Sequence, residues 1–299
     1  MAGIYAHYIC AQAAAEAAMM PELKDSGAYA LGSQGPDIMY YYNIIPFRKP
    51  GGMHGMGVKV HDENTGAFLR SMANCVNGLE KDYLKAYFYG FLTHYFLDAA
   101  THRYVKCRTA SSRHHVLLET YVDSQLLAST TGIKRCWKFL KLEDSKIKDI
   151  SKMLTRVLLE AHGAALDKKV FETSIKTMPV AQKALHDPLG IKLAMAKTFD
   201  FFAGRGTVAR FIIPSKVKAD YMNLSKEKWQ LPDGESNDSF VELIDKSAFD
   251  AGAAMKTFEK AFDEGGVLKA ATALGNISMA TGYECRRAID WPVMPVFDD

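Results

Sequence analysis

The sequence of 299 residues has no CxxC pair, no basic block and no apolar run long enough to cross a bilayer, and each absence removes a class of function. Five cysteines, Cys10, Cys75, Cys107, Cys136 and Cys285, are odd in number and widely spread. That excludes a disulfide framework and a thiolate zinc knuckle, and they read as reduced, mostly core residues. Lysine and arginine total 37 against 34 acidic residues, a formal charge of +3 spread along the chain, so no stable nucleic-acid complex is expected. The longest apolar stretch, Tyr87 to Leu97, falls well short of a transmembrane helix and contains His94. The first 20 residues carry no basic leader, and Gln12 and Glu16 interrupt their alanine-rich run. Neither a signal peptide nor a membrane anchor is expected, and the expected location is cytoplasmic.

Alternating β-branched runs are nearly missing too. What is present is helical periodicity: apolar residues recur at three- and four-residue spacing over 8–20, 56–78, 81–105, 113–130, 146–164, 189–203 and 238–264. The expected class is all-α, a multi-helix bundle. Ser239 with Glu242 forms a capping box, and Gly132 is placed to end the helix carrying Leu126 and Leu127. Two stretches read as irregular, Gly32 to Gly57 and Pro214 to Asp238. The expected organisation is one helical domain over 1–299, with a metal-binding core at 1–130 and a helical extension, 131–299, packed on it.

The informative feature is where histidine falls, seven of nine lying in the first 115 residues. His94 and Asp98 are four apart, as are Asp98 and His102, and His115 and Glu119. On a helix such pairs share a face, one turn of about 6 Å apart, and can converge on one ion. His94 to His102 spans about 12 Å, which is awkward for a single small ion. Asp98 lies between them with two oxygens, so a cluster of ions is expected rather than one. Imidazole with carboxylate and no thiolate is the donor set of hydrolytic zinc and related divalent metals. Phe91, Leu92, Phe96 and Leu97 make the surroundings apolar, so a charge there needs a partner: a metal ion or, alternatively, an ion-pair network with Arg103 or Arg113. Taken singly, His7, His54, His114, His162 and His186 read as ordinary polar or surface residues.

The run His94-Tyr95-Phe96-Leu97-Asp98-Ala99-Ala100-Thr101-His102, followed by His115-Val116-Leu117-Leu118-Glu119-Thr120, resembles the zinc-dependent phospholipase C family and, more distantly, the S1/P1-type nucleases. His61-Asp62-Glu63-Asn64-Thr65-Gly66 is similar to that family's H-x-x-x-T-G stretch, Gly35-Pro36-Asp37-Ile38 to its aspartate loop, and His7 to its early histidine. The resemblance covers about residues 1–125 and implies an α-helical fold holding two or three Zn2+ ions. It implies one ion at Asp37, His61, His94 and Asp98, and a second at His102, His115 and Glu119. A third is implied between Asp98, His7 and a free terminal residue, which removal of Met1 would make Ala2. Between His54, in a glycine-rich run, and His61, on an expected helix, His61 is the chosen ligand. His61-Asp62 also brings in the all-helical HD-type phosphohydrolases, which leave His115 and Glu119 without a role.

The expected activity is hydrolysis of a lipid or small-molecule phosphodiester through a zinc-activated water, with Asp37 orienting that water or accepting its proton. Tyr40, Tyr41, Tyr42 and Phe47 are candidate substrate contacts, an aromatic wall for a choline-like cation or a stacked base. The alternative for these tyrosines is that they pack the loop onto the body. A single-strand nuclease and a non-catalytic metal-stabilised binding protein are the alternative functions.

Overall fold

The structure, a computed structural model, describes residues 3–44, 52–130, 138, 140–203 and 208–297. Ala2, Phe47, Gly132 and Cys136 lie outside the described residues. The helices are α1 (Ile4–Ala18), α2 (Gly27–Gly32), α3 (Met53–Asp62), α4 (Thr65–Val76), α5 (Asp82–Arg108), α6 (Ser112–Ser129), α7 (Asp144–His162), α8 (Lys168–Leu185), α9 (Ile191–Ala203), α10 (Phe240–Glu264) and α11 (Val267–Ala273). Short 3-10 segments cover Pro21–Asp25, Gly35–Tyr41 and Ala209–Phe211. Among the described residues the only sheet is one antiparallel hairpin, β1 (Trp229–Leu231) with β2 (Gly234–Ser236), so the fold is all-α.

The organising element is α5, 27 residues long and buried along most of its length, with α1, α2, α4, α6, α7 and α10 packed around it. Phe88, Phe91, Leu92, Leu97 and Tyr104 are withdrawn from water, each contributing roughly 1.5–3 kcal/mol. Polar side chains on such a helix have no solvent to turn to, and His94, Asp98 and His102 are all buried.

Small residues let the neighbours approach. A Cβ on Gly90 would sit 2.1 Å from the Tyr29 carbonyl oxygen, and one on Gly32 2.1 Å from that of Tyr87, so α2 and α5 cross backbone to backbone. The alanine-rich face of α1, with Cys10, Ala11, Ala14, Ala15 and Ala18 buried, packs on α10 at Gly252. This places His7, at the start of α1, beside Asp98 on α5.

Several boundaries differ from the sequence reading. The periodic stretch 56–78 is two helices, because Glu63 is extended and Asn64 adopts φ 53 before α4 begins. The first helix starts at Ile4 rather than at 8, and α8 and α11 were not expected. Pro179 lies inside α8, and the helix continues through it, burying Phe171, Ile175, Met178 and Ala181 on one face. The irregular stretch Gly32 to Gly57 holds a 3-10 segment and the start of α3, and Pro214 to Asp238 holds the hairpin, whose Trp229 packs edge-on against Tyr104. The capping box at Ser239 and Glu242 forms, and α6 ends at Ser129. Cys10, Cys75, Cys107 and Cys285 are unpaired.

Candidate metal centre

Three groups of ligand-type atoms lie along one wall formed by α5 and its neighbours: His7, His94 and Asp98; Asp37, His61 and His94; and His102, His115 and Glu119. Within each group the atoms lie within 4.8 Å of one another. The first two groups share His94, and Asp98 reaches further still. Its Oδ1 is 3.2 Å from His7 Nε2, and its Oδ2 is 3.1 Å from His94 Nε2, 3.5 Å from His61 Nε2 and 3.6 Å from His102 Nδ1. Asp37 Oδ1 lies 3.3 Å from His61 Nε2, and Glu119 Oε1 lies 3.3 Å from His102 Nε2 and 2.9 Å from His115 Nε2.

Backbone carbonyls set the ring orientations. His61 Nδ1 donates to the Gly57 carbonyl at 2.7 Å, His94 Nδ1 to that of Ser33 at 3.3 Å and His102 Nδ1 to that of Met279 at 2.6 Å. A carbonyl can only accept, so each ring carries a proton on Nδ1 and turns Nε2 toward the carboxylates. This is the outer-shell arrangement that prepares imidazole to ligate a metal.

The segment 276–280 supports two of these rings at once. The amide of Met279 donates to the His61 carbonyl at 2.7 Å, while Thr65 Oγ1 donates to the Ile277 carbonyl at 2.7 Å and the Gly66 amide to Asn276 Oδ1 at 3.0 Å. The Thr65-Gly66 pair thereby acquires a physical role. A Cβ on Gly66 would stand 2.4 Å from the Gly275 carbonyl oxygen. Gly35 likewise has φ +50, and a Cβ there would meet the His94 ring at 2.3 Å. Sequence reasoning did not find the 276–280 segment, because its contacts run largely through backbone atoms that carry no residue signature.

The donor set fits a divalent metal. Both ring nitrogens of His7, Nε2 of His94 and both oxygens of Asp98 are buried without hydrogen-bond geometry, although they face one another closely. Buried polar atoms are normally satisfied, and lone pairs converging in this way suit a shared cation. Burial alone would push the Asp98 carboxyl up, yet His94, His102 and His7 hold it well below the usual carboxylate range. Glu119 is likewise held down against burial, with His115 and His102 beside it. The alternative of an arginine network is not what the chain builds. Arg103 pairs with Asp233 at 2.8 Å and donates to Tyr283, Arg113 is exposed, and the ion pairs recorded for Asp98 are with histidines.

The wall borders a cleft of about 1300 Å³ whose lining includes Asp37, His61, His102, His115 and Glu119. Tyr40 and Tyr41 line it; Tyr40 stacks on His61 with ring centres 5.9 Å apart, and the buried Tyr41 hydroxyl accepts from Gln182. Tyr42 is not part of the lining and packs half-buried against the core. His54 is exposed at the rim, edge-on to Tyr40, and only His61 of that pair joins a ligand group. Asp62 is in none of the three groups. Val58, Met178, Leu185, Phe211 and Ile213 are apolar members of the lining, and Lys106, Ser111 and Ser112 polar ones. The segment after α11 contributes Ala280, Trp291 and Val293.

In comparisons with known proteins, the family model described as zinc dependent phospholipase C matches residues 6–181, more than half of the chain and well past the residues that carry the histidine motifs. No curated protein and no solved structure matched.

Proposed function

The chain belongs to the zinc-dependent phospholipase C family, and from that premise we propose that it is a metal-dependent hydrolase cleaving a phospholipid-type phosphodiester. The observation that carries this reading is the set of three His/carboxylate groups ranged beside one open cleft, with Asp98 serving more than one of them. Asp37, His61, His94 and Asp98 would hold one zinc ion, and His102, His115 and Glu119 a second. His7 with Asp98 would hold a third, completed by Ala2 outside the described residues.

Zinc bound there supplies Lewis acidity, bringing the pKa of a water from 15.7 to about 7 and offsetting the charge that develops on the phosphoryl oxygens. The chain does the rest. Asp37, buried yet lining the cleft, orients the attacking water and takes its proton at Oδ2. Burial would push this carboxyl up, but His61 and His94 nearby keep it ionised and able to accept. Tyr40 excludes water from the His61 side and offers an aromatic face to a cationic headgroup. Lys106, Ser111 and Ser112 offer hydrogen bonds and a positive charge, and the apolar lining residues accept the start of the acyl chains.

The apolar lining favours a lipid over a nucleic acid, which would call for a basic track along the cleft. The test is release of a phosphorylated headgroup from phosphatidylcholine or a chromogenic analogue by protein of measured metal content. Chelation should abolish turnover and added zinc restore it. Full turnover by metal-free protein, or cleavage of single-stranded DNA or RNA in place of lipid, would overturn the proposal.

A further inference from the structure

Helix α9 presents its apolar side to solvent rather than to the core. Met195 is 68% exposed, Phe199 60%, Phe201 81% and Phe202 82%, and Leu189 and Ile191 are exposed just before them. Exposed apolar area of this size on one element marks a surface for a partner. At about 100° per residue, Ile191, Phe202, Met195 and Phe199 fall in that order within an arc of about 80°. Lys192 stands at one edge of the exposed arc and Lys197 at the other, while Ala196 and Asp200 turn inward and are buried.

Charge is sorted in the same sense. Between residues 186 and 219 the sequence has six basic residues, Lys192, Lys197, Arg205, Arg210, Lys216 and Lys218, against two acidic ones, Asp187 and Asp200. Both acids are spent inside the protein. Asp187 accepts from the Leu193 amide at 2.8 Å, capping the start of α9, and Asp200 accepts from the amides of Val208 and Ala209. Lys197, Lys216 and Lys218 are exposed, while the Lys192 ammonium turns back to donate to the carbonyls of Ala184 and His186 at 2.8 and 2.9 Å. An apolar stripe on a segment that carries exposed lysines and is stripped of outward negative charge is the pattern of a helix lying in a membrane interface.

We propose that α9 is a docking helix that lays its Ile191, Met195, Phe199 and Phe202 face into an anionic lipid surface. The proposal deepens the reading of the cleft as a phospholipid site and rests on it for its biological purpose, although docking itself is measured separately. Its position gives it that purpose. The Asp200 carboxylate ties α9 to Val208 and Ala209, and Val208, Arg210 and Phe211 line the cleft, so the docked helix would bring this part of the cleft to the bilayer. A second copy of the chain is the poorer occupant, because a twofold contact through this face would bring two basic segments together with both acids, Asp187 and Asp200, buried.

The test is sedimentation of the metal-loaded protein with vesicles of phosphatidylcholine, with and without phosphatidylserine, beside F199S/F202S and K197Q variants whose helix content is checked by circular dichroism. We expect F199S/F202S to lose about a hundredfold in vesicle affinity, roughly tenfold for each phenylalanine left in water. K197Q and added salt should weaken binding only to phosphatidylserine vesicles. Hydrolysis of a water-soluble chromogenic diester should be unchanged in F199S/F202S, while hydrolysis of vesicle lipid falls. Vesicle affinity equal in wild type and F199S/F202S would overturn the docking proposal, as would a dimer that fails to bind vesicles and that F199S/F202S splits into monomers. Phenylalanine-dependent vesicle binding with no hydrolysis of any diester would sustain docking and sink the enzymatic reading instead.

Discussion

The carbonyl of Met279 lies 2.6 Å from Nδ1 of His102, across 177 residues of sequence, and the amide of the same residue holds the carbonyl of His61. One peptide segment thus orients ligands from two of the three groups. What locks that segment is Thr65, whose hydroxyl reaches the Ile277 carbonyl. Thr65→Val keeps the shape and removes the donor, depriving the carbonyl of half-buried Ile277 of its partner. It should cost about 1–3 kcal/mol in unfolding free energy and lower zinc affinity roughly 10–100-fold. Denaturant titration and competition with a zinc indicator measure the two; unchanged zinc affinity would show that the segment does not orient the ligands.

Asp98→Ala removes the carboxylate that faces His7, His61, His94 and His102. Metal should be lost from the two groups containing His94 and kept at His102, His115 and Glu119, with turnover falling to background. Elemental analysis per chain reads the first outcome and headgroup release the second. A variant with the full complement of metal and full turnover would remove Asp98 from the centre.

Gly35→Ala meets two obstacles, a positive φ and the His94 ring 2.3 Å from the new carbon. The backbone conformation alone should cost about 1–3 kcal/mol, and the collision adds to it. Because the ring is what must yield, zinc content should drop along with the melting temperature. A loss of stability with metal retained would mean that the loop moved instead of His94.

Metal removal should itself destabilise the fold, since Asp37, Asp98 and Glu119 are buried carboxylates. Zinc at about a thousand times its dissociation constant contributes about 4 kcal/mol. Differential scanning calorimetry should show the melting temperature falling on chelation and recovering with zinc, and identical thermograms would count against a resident metal.

Asp123 gives a pH dependence. It lies beneath the start of α1, accepting from the amides of Tyr5 and Ala6 at 3.2 and 3.0 Å, and burial pushes its carboxyl up to about 7. The unfolded chain ionises it near 3.9. The folded form therefore keeps a proton that the unfolded form has lost, and its contribution to stability, complete below about pH 4, is lost as pH rises through about 7. Urea titrations of wild type and Asp123→Asn at several pH values should diverge by up to about 4 kcal/mol over that window. A pH-independent difference would refute the assignment.

How much was legible in the sequence follows from where each contact is encoded. His94, Asp98 and His102 sit on one helix, so their spacing alone announced a shared face. His7, Asp37 and His61 come from three different elements, and only the family resemblance pointed to them. The break at Asn64 was hidden because Val60, Phe68 and Leu69 keep helical spacing across it. α8 was not among the expected helices, although its buried face of Phe171, Ile175 and Met178 keeps helical spacing and outweighs the cost of Pro179. The carbonyls of Ser33, Gly57 and Met279 were illegible in principle, since every residue has one and only the tertiary fold selects which of them meets a ring.

The dependence of His102 on Met279 also sets an order of events. A nascent chain that has emerged only as far as α8 already carries the described ligands from His7 to Glu119, but not the acceptor that fixes the His102 ring. The His102 ring can therefore take its final orientation only after synthesis has passed residue 279.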